Sequence, residues 1–159
     1  PRIQAAHQRI APGGEELSVE YVPSVKNDFA ADLERIRERE HKQGATLIGP
    51  HRDELALLLH DRPAADYASE GQKRTIAIAL KIAQAEHLTE IHGAPPVLLI
   101  DDVMGELDEH RRQGFLPLLE KCGSGRGQVF MTCTEENWPH DLSRVLQRWK
   151  IHNGTLLPY

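Results

Sequence analysis

Val97-Leu98-Leu99-Ile100-Asp101-Asp102 is the stretch on which the fold turns. Four apolar residues in succession, set off upstream by Pro95-Pro96, have the pattern of a strand covered on both faces in a parallel sheet. Two adjacent carboxylates at its end are physically odd, because a charge at the edge of a core is costly unless something pairs with it. A metal is the obvious partner. At the carboxyl end of a parallel strand, where open α/β sheets place their ligands, Asp101 can hold Mg²⁺ directly or through water. Asp102 is then free to orient or deprotonate a water. The plainer alternative is that one Asp caps the next turn and the other is solvated.

Upstream of this strand, Gln72 to about His92 is rich in Ala, Ile and Leu and apolar on more than one side, which predicts a buried helix. Ser69 and Gln72 form a capping box of the Ser-x-x-Gln kind at its start. The same geometry presents free backbone N–H groups and the positive end of the helix dipole, a ready anion site. Downstream, Gly105-Glu106-Leu107-Asp108 leads into another helix, which Asp108 can cap and Pro117 disturbs. A Gly-rich loop (123–127), a buried strand from Val129 to Cys133, and strands at Val145–Ile151 and Thr155–Leu157 around Asn153-Gly154 complete the pattern.

Towards the N-terminus, residues 1–27 read as a loop and a strand, with Leu17, Val19 and Tyr21 alternating against Ser18 and Glu20. Asn27 or Asp28 caps a helix on which Phe29, Leu33 and Ile36 recur, with Gly44 as its stop. The charged run Glu34 to Lys42 reads as a solvated face laced with opposite charges four apart. Thr46–Ile48 is a predicted strand entering the turn Gly49-Pro50-His51-Arg52-Asp53. A strand over Glu54–His60, a turn at Asp61-Arg62-Pro63 and a short strand to Tyr67 follow. Alternating strands and helices point to an α/β layer with a small antiparallel end.

Composition excludes several classes. The 159 residues, 40% of them hydrophobic, suffice for one core. No apolar run approaches the roughly 18 to 20 residues of a membrane-spanning helix. Cys122 and Cys133 are too few for a disulfide framework, so reduced, cytosolic thiols are expected. With 24 acids against 19 bases, a net charge of −5 argues against holding nucleic acid by bulk charge alone. Nine histidines include no His-x-His or His-x-x-x-His pair, so zinc is not expected. Trp138 and Trp149 lie outside any basic-aromatic cluster and read as core or edge residues, and Cys133 reads as packing.

In this order and spacing, the motifs resemble the C-terminal half of an ABC-type ATPase head. Ser69-Glu70-Gly71-Gln72 is similar to the signature loop, Leu98 to Asp102 to the Walker B strand, and Gly105 to Asp108 to the D-loop. More narrowly, the Gly49-Pro50-His51-Arg52-Asp53 turn, the double Asp and Val129-Phe130-Met131-Thr132-Cys133-Thr134 resemble the RecF family of bacterial DNA replication and repair proteins. The resemblance implies that Ser69, Gly71 and Gln72 contact the γ-phosphate of ATP held by the other protomer of a head-to-head dimer. It implies that Asp101 serves the Mg²⁺ shell, that Asp102 positions the attacking water, and that Asp108 couples the two sites. Three positions depart from the wider pattern: Asp102 stands where Glu is usual, Gly105 where Ser is usual, and Thr134 where many relatives have a switch His. The shorter Asp102 fits slow hydrolysis.

No Gly-x-x-x-x-Gly-Lys-Ser/Thr loop occurs, so the chain has nothing to cradle the α- and β-phosphates of its own nucleotide. The resemblance therefore implies a C-terminal portion of a longer protein. Residues 1–44 would be the end of a helical arm or second domain returning to the head, and 45–159 the C-terminal part of the head. The fold class expected is α/β, with parallel strands flanked by helices, small antiparallel hairpins and a helical-arm remnant at the N-terminus. For the whole protein, the resemblance implies an ATP-dependent homodimer at DNA gaps or single-strand/double-strand junctions. It would assist recombinase loading with recombination mediator proteins in DNA replication, repair, recombination and the SOS response. Slow hydrolysis of ATP to ADP and phosphate would drive release, in the cytoplasm and away from membranes, and this chain alone would be inactive. The competing expectation is a non-hydrolysing, ATP-sensing dimerisation module of an SMC-like protein.

Overall fold

Capping residues set the two longest predicted helices where the sequence places them. The structure, a computed structural model, describes residues 1–11, 13–123, 127–134, 136, 138 and 147–158. Before α2 (Phe29–Gln43), Asp28 Oδ1 accepts from the N–H groups of Ala30 and Ala31 at 3.0 and 3.2 Å, and Gly44 closes the helix at φ 62°. No residue of α2 is buried, in keeping with a solvated charged face. Its ion pairs, Arg35–Asp32 at 2.6 Å and Arg37–Glu34 at 3.3 Å, are three residues apart rather than the expected four. Both spacings bring side chains together on a helix.

The 23-residue α4 (Glu70–His92) ends at Gly93, φ 68°, and is buried on more than one side because it serves two cores. Ala79, Ile82 and Ala83 join Ile10, Met104, Leu107 and Phe115 in the first. Ile76 joins Leu17, Leu59, Ala64 and Ala68 in the second. The first core also contains an unpredicted element. Within residues 1–27, read as loop and strand, Arg2–Ile10 form a helix, α1. It has no side-chain cap and no acid in its first turn, so little local signal marks it. Ala6, His7 and Ile10 are buried against α4 and α5 (Glu109–Gly123), and it is this packing that stabilises so short a helix.

The predicted hairpin forms with shifted limits. β1 (Leu17–Val22) pairs antiparallel with β2 (Glu54–Leu59), Leu17 opposite Leu59 and Val22 opposite Glu54. The turn into β3 (Arg62–Pro63) is His60-Asp61, with φ of 50° and 61°, not Asp61-Arg62-Pro63. Both residues with positive φ are what a two-residue hairpin turn needs. The strand expected to reach Tyr67 stops at Pro63, and Ala64–Tyr67 form a helical turn, α3. Thr46–Ile48 is not a strand, because side chains take its backbone groups. Glu40 Oε1 accepts from the Leu47 N–H at 2.6 Å, and Arg52 Nε donates to the Thr46 carbonyl at 3.0 Å.

β4 (Val97–Ile100) runs parallel to β5 (Gln128–Met131), Leu98 opposite Val129. Alternation sends Ile100, Val129 and Met131 to the first core. The cover expected on both faces is present on one: Leu99 is 79% exposed and Phe130 58%, since among the described residues helices lie beneath one face only. α5 runs through Pro117. β6 (Trp149–His152) and β7 (Thr155–Pro158) form the expected hairpin over Asn153-Gly154, at φ 47° and 73°. Residues 124–126 of the Gly-rich loop, and Val145-Leu146 of the last predicted strand pair, lie outside the described residues. The architecture is α/β, a parallel pair flanked by helices with small antiparallel hairpins. Among the described residues no helix is long and apolar enough to cross a membrane.

Candidate functional site

The two carboxylates at the end of β4 are held by one residue of the neighbouring strand. Thr132, just past β5, donates its N–H to the Ile100 carbonyl at 2.9 Å, extending the parallel ladder. The Asp102 N–H donates to the Thr132 carbonyl at 3.2 Å and to its Oγ1 at 3.0 Å. The same hydroxyl donates to Asp101 Oδ1, so Thr132 orders both Asp residues. Asp102 sits at φ 47°, the left-handed region that Asp tolerates better than most residues. Buried Met104 and Leu107 anchor the turn that follows. Both carboxylates are exposed, and neither makes an ion pair with a described residue. The donor set suits Mg²⁺, which takes one or two carboxylates and completes its shell with water and phosphate. The described residues assemble no group of three or more His, Cys, Asp or Glu that could cage a metal alone. Thr134 is exposed, three residues past β5. Burial pushes the Cys133 thiol above its usual range, consistent with packing.

The predicted capping box is present at the start of α4. Ser69 Oγ accepts from the Gln72 N–H at 3.3 Å, and Gln72 Oε1 accepts from the Ser69 N–H at 2.9 Å. The N–H groups of Glu70 and Gly71, in the first turn, have no intrahelical acceptor, and no side chain caps them. Asp108 Oδ1 accepts from the Arg111 N–H at 2.9 Å, the expected cap of α5. That backbone donor, with the Arg111 guanidinium, holds the Asp108 carboxyl below the usual range.

The structure brings the Ser69 loop and Asp108 together, while Asp101 and Asp102 form a separate cluster. The link is Arg111, which sequence reasoning missed. Its Nε donates to Thr75 Oγ1 at 2.8 Å, its Nη1 to Asp108 Oδ2, and its Nη2 to Glu15 Oε1 at 2.9 Å. Thr75 is fully buried and donates to the Gly71 carbonyl at 2.8 Å. Glu15 Oε1 also accepts from Gln72 Nε2 at 3.4 Å. Behind Glu15, at 3.6 Å from its other oxygen, lies Nε2 of the fully buried His7. At the rim, Arg74 pairs with Glu106 at 2.6 Å. Glu15 and His7 leave no sequence signal, whereas an Arg three residues after a predicted Asp cap is a visible pairing.

The Gly49 to Asp53 turn closes the far end of the antiparallel β1–β2 pair. Asp53 accepts from the Tyr21 hydroxyl and, at 2.7 Å, from the Ser24 N–H. Gly49, at φ 126°, donates its N–H to Ser24 Oγ at 3.0 Å, and the Ser24 hydroxyl is 3.1 Å from the Gly49 carbonyl.

Comparison with known proteins bears on what this arrangement is. No protein-family model matches the chain. The DNA replication and repair protein RecF of Moorella thermoacetica is 41% identical over 159 residues, covering 97% of this chain and 41% of that protein. That of Geobacillus thermodenitrificans is 36% identical over 162 residues, 94% of this chain and 42% of that protein. A solved structure of the recombination mediator protein RecF with ATP, of the RecFOR pathway, covers 99% of the chain with a TM-score of 0.64 and 28% identity. The chain belongs to the RecF family. It spans about two fifths of the curated relatives it matches and 43% of the solved RecF chain. A second solved RecF, described as RecF-ATPrS, matches the RecF-family chain with a TM-score of 0.67.

Proposed function

We propose that this RecF-family chain is the signature-loop and Walker B part of a DNA-repair ATPase head that closes on ATP as a head-to-head homodimer. Residues 45–159 belong to the head, and 1–44 are the end of the arm returning into it, where α1 packs on α4 and α5 and β1 pairs with β2. Ser69, Gly71 and Gln72 face the γ-phosphate of the nucleotide held by the partner protomer. Asp108 carries the state of one site to the other across the interface, and Thr134 lies beside the phosphate as an uncharged sensor. Asp101 is the residue to hold Mg²⁺, directly or through water, and Asp102 orients the attacking water. When bound, Mg²⁺ neutralises charge on the transferring phosphoryl group. Hydrolysis is slow and releases the dimer. The whole protein acts in the cytoplasm at DNA gaps or junctions with recombination mediator proteins, in line with the repair and mediator names of its relatives.

Gly71 is the observation that carries this reading. A Cβ there would meet only Arg111 Nη1, at 4.0 Å, an ordinary contact, and its φ is not positive. Glycine nevertheless costs a helix interior up to about 1 kcal/mol relative to Ala, less near the end. The fold does not need this glycine. A phosphate does, since it must approach the free N–H groups of Glu70 and Gly71 closely. In the intact protein, ATP is expected to convert monomer to dimer in analytical ultracentrifugation. Ser69→Arg is expected to abolish that dimer while leaving the monomer folded, its melting temperature lowered only by the few degrees that a lost helix cap costs; ATP-driven dimers equal to wild type would refute the assignment of the loop.

The short Asp102 favours a second reading, a module that binds ATP and dimerises but hydrolyses negligibly. Asp102→Asn separates the two. Loss of ATP turnover by at least tenfold supports hydrolysis through Asp102, and unchanged turnover removes it.

A further inference from the structure

The guanidinium of Arg111 sends one N–H to each of three elements: Thr75 on α4, Asp108 before α5 and Glu15 before β1. Two adjacent residues of the signature-type loop, Gly71 and Gln72, are one bond further on. The Gly71 carbonyl accepts from Thr75, and the Gln72 side chain donates to Glu15. On the other side, Asp108 is held by the same residue through backbone and side chain. We propose that Arg111 is a positioning residue, fixing the Ser69–Gln72 loop and the Gly105–Asp108 loop as one rigid unit so that both meet the partner protomer's nucleotide together. This rests on the head-to-head dimer proposed above.

Local needs do not explain the arrangement. The capping box satisfies Ser69 and Gln72, and the Arg111 backbone N–H alone satisfies the Asp108 cap. The network is nearly buried on the side of Thr75, which is fully buried, and of Glu15, which like Arg111 is 12% exposed, while Asp108 at its outer end is 53% exposed. Buried ion pairs are often no more stabilising than well-packed apolar residues. Their gain is geometry, and a planar fork with donors at fixed angles supplies it where a flexible ammonium does not. The rim pair Arg74–Glu106 spans the same two segments, but both side chains are 43% exposed, and such pairs contribute little.

The test uses the intact protein, with Arg111→Met, Arg111→Lys and the near-isosteric Glu15→Gln. Monomer affinity for a fluorescent ATP analogue is expected to stay within twofold of wild type, because the α- and β-phosphate cradle lies outside this chain. The ATP-driven dimer is expected to weaken at least tenfold in ultracentrifugation, and kcat to fall while KM holds. Lysine should not rescue. In a double-mutant cycle, Ser69→Ala combined with Arg111→Met should lose no more than the worse single change, because both act through one unit. If Arg111→Met does not fold, Glu15→Gln carries the test. Additive losses, or Lys and Gln variants that dimerise like wild type, would overturn the proposal. A wild-type protein that fails to dimerise with ATP would instead overturn the dimer itself.

Discussion

Gly114→Ala should open the seam between α1 and α5. A Cβ built at Gly114 lies 2.4 Å from the Arg9 carbonyl oxygen and 2.9 Å from Ile10 Cα. The first is about 1 Å short of ordinary contact, and both neighbours are backbone that cannot rotate away. α1 must therefore withdraw, loosening Ala6 and Ile10 in the first core. Overpacking of this kind costs about 1–3 kcal/mol, and a clash with backbone belongs at the upper end. Replacing a helical glycine by alanine returns up to about 1 kcal/mol, leaving a loss of about 2 kcal/mol. Because α1 is a short terminal helix, the loss should appear first as local opening, read by hydrogen exchange. At 1.4 kcal/mol per factor of ten, protection of the α1 amides should fall about 30-fold. Gly13→Ala is the control, since no atom lies within 4 Å of its Cβ and its φ is not positive. Wild-type protection of α1 in Gly114→Ala would refute the packing of α1 against α5.

Three further outcomes are expected. Burial pushes the His7 imidazole below its ordinary value, with Arg111 adding to the fall and Glu15 opposing it; the unfolded chain therefore takes the proton first. Stability is full above about pH 6.5 and is lost as the pH falls towards the lowered folded value, so the urea midpoint should drop between pH 7.5 and 5.5 and the drop should vanish in His7→Gln. The Tyr21 hydroxyl and the Ser24 N–H hold the Asp53 carboxyl below its usual range; Asp53→Asn should speed hydrogen exchange at Val22 and Glu54 without changing exchange in α4, and equal rates would show that the turn does not close the β1–β2 pair. Thr132→Val removes the hydroxyl shared by Asp101 and Asp102; it should lower ATP turnover in the intact protein at least tenfold with the melting temperature within a few degrees of wild type, and normal turnover would dissociate that clamp from the chemistry.

What was legible in the sequence is what a few adjacent residues decide. Asp28 with Gly44, Ser69 with Gln72, and Asn153-Gly154 each specify a helix end or a turn through their own backbone and side chains, and each is found in place. The parallel strand read from Val97 to Ile100 is there too. α1 was not legible because its stability comes from contact with α4 and α5, far along the chain. Thr46–Ile48 misled for a related reason: its residues suit a strand, but Glu40 and Arg52 reach its backbone first. At the candidate site, motif residues could be named one by one, whereas their connection could not. Glu15 and Arg111 are 96 positions apart, and only tertiary structure joins them.

The distribution of charge sharpens what the acidic cluster after β4 is for. Glu106 is paired with Arg74, and Asp108 is paired with Arg111. Asp101 receives only a neutral hydroxyl, and Asp102 uses its backbone rather than its carboxylate. Asp101 and Asp102, like Glu109, whose Oε1 accepts from the neutral Gln113 amide at 3.1 Å, are therefore carboxylates that no basic residue pairs among the described residues. Thr132 fixes the placement of Asp101 and Asp102 without neutralising them. Fixed position without a basic partner is compatible with the Mg²⁺ role proposed above for Asp101. The Arg111 network is the contrast: there one guanidinium is paired with two carboxylates, Glu15 and Asp108, and ties three elements together.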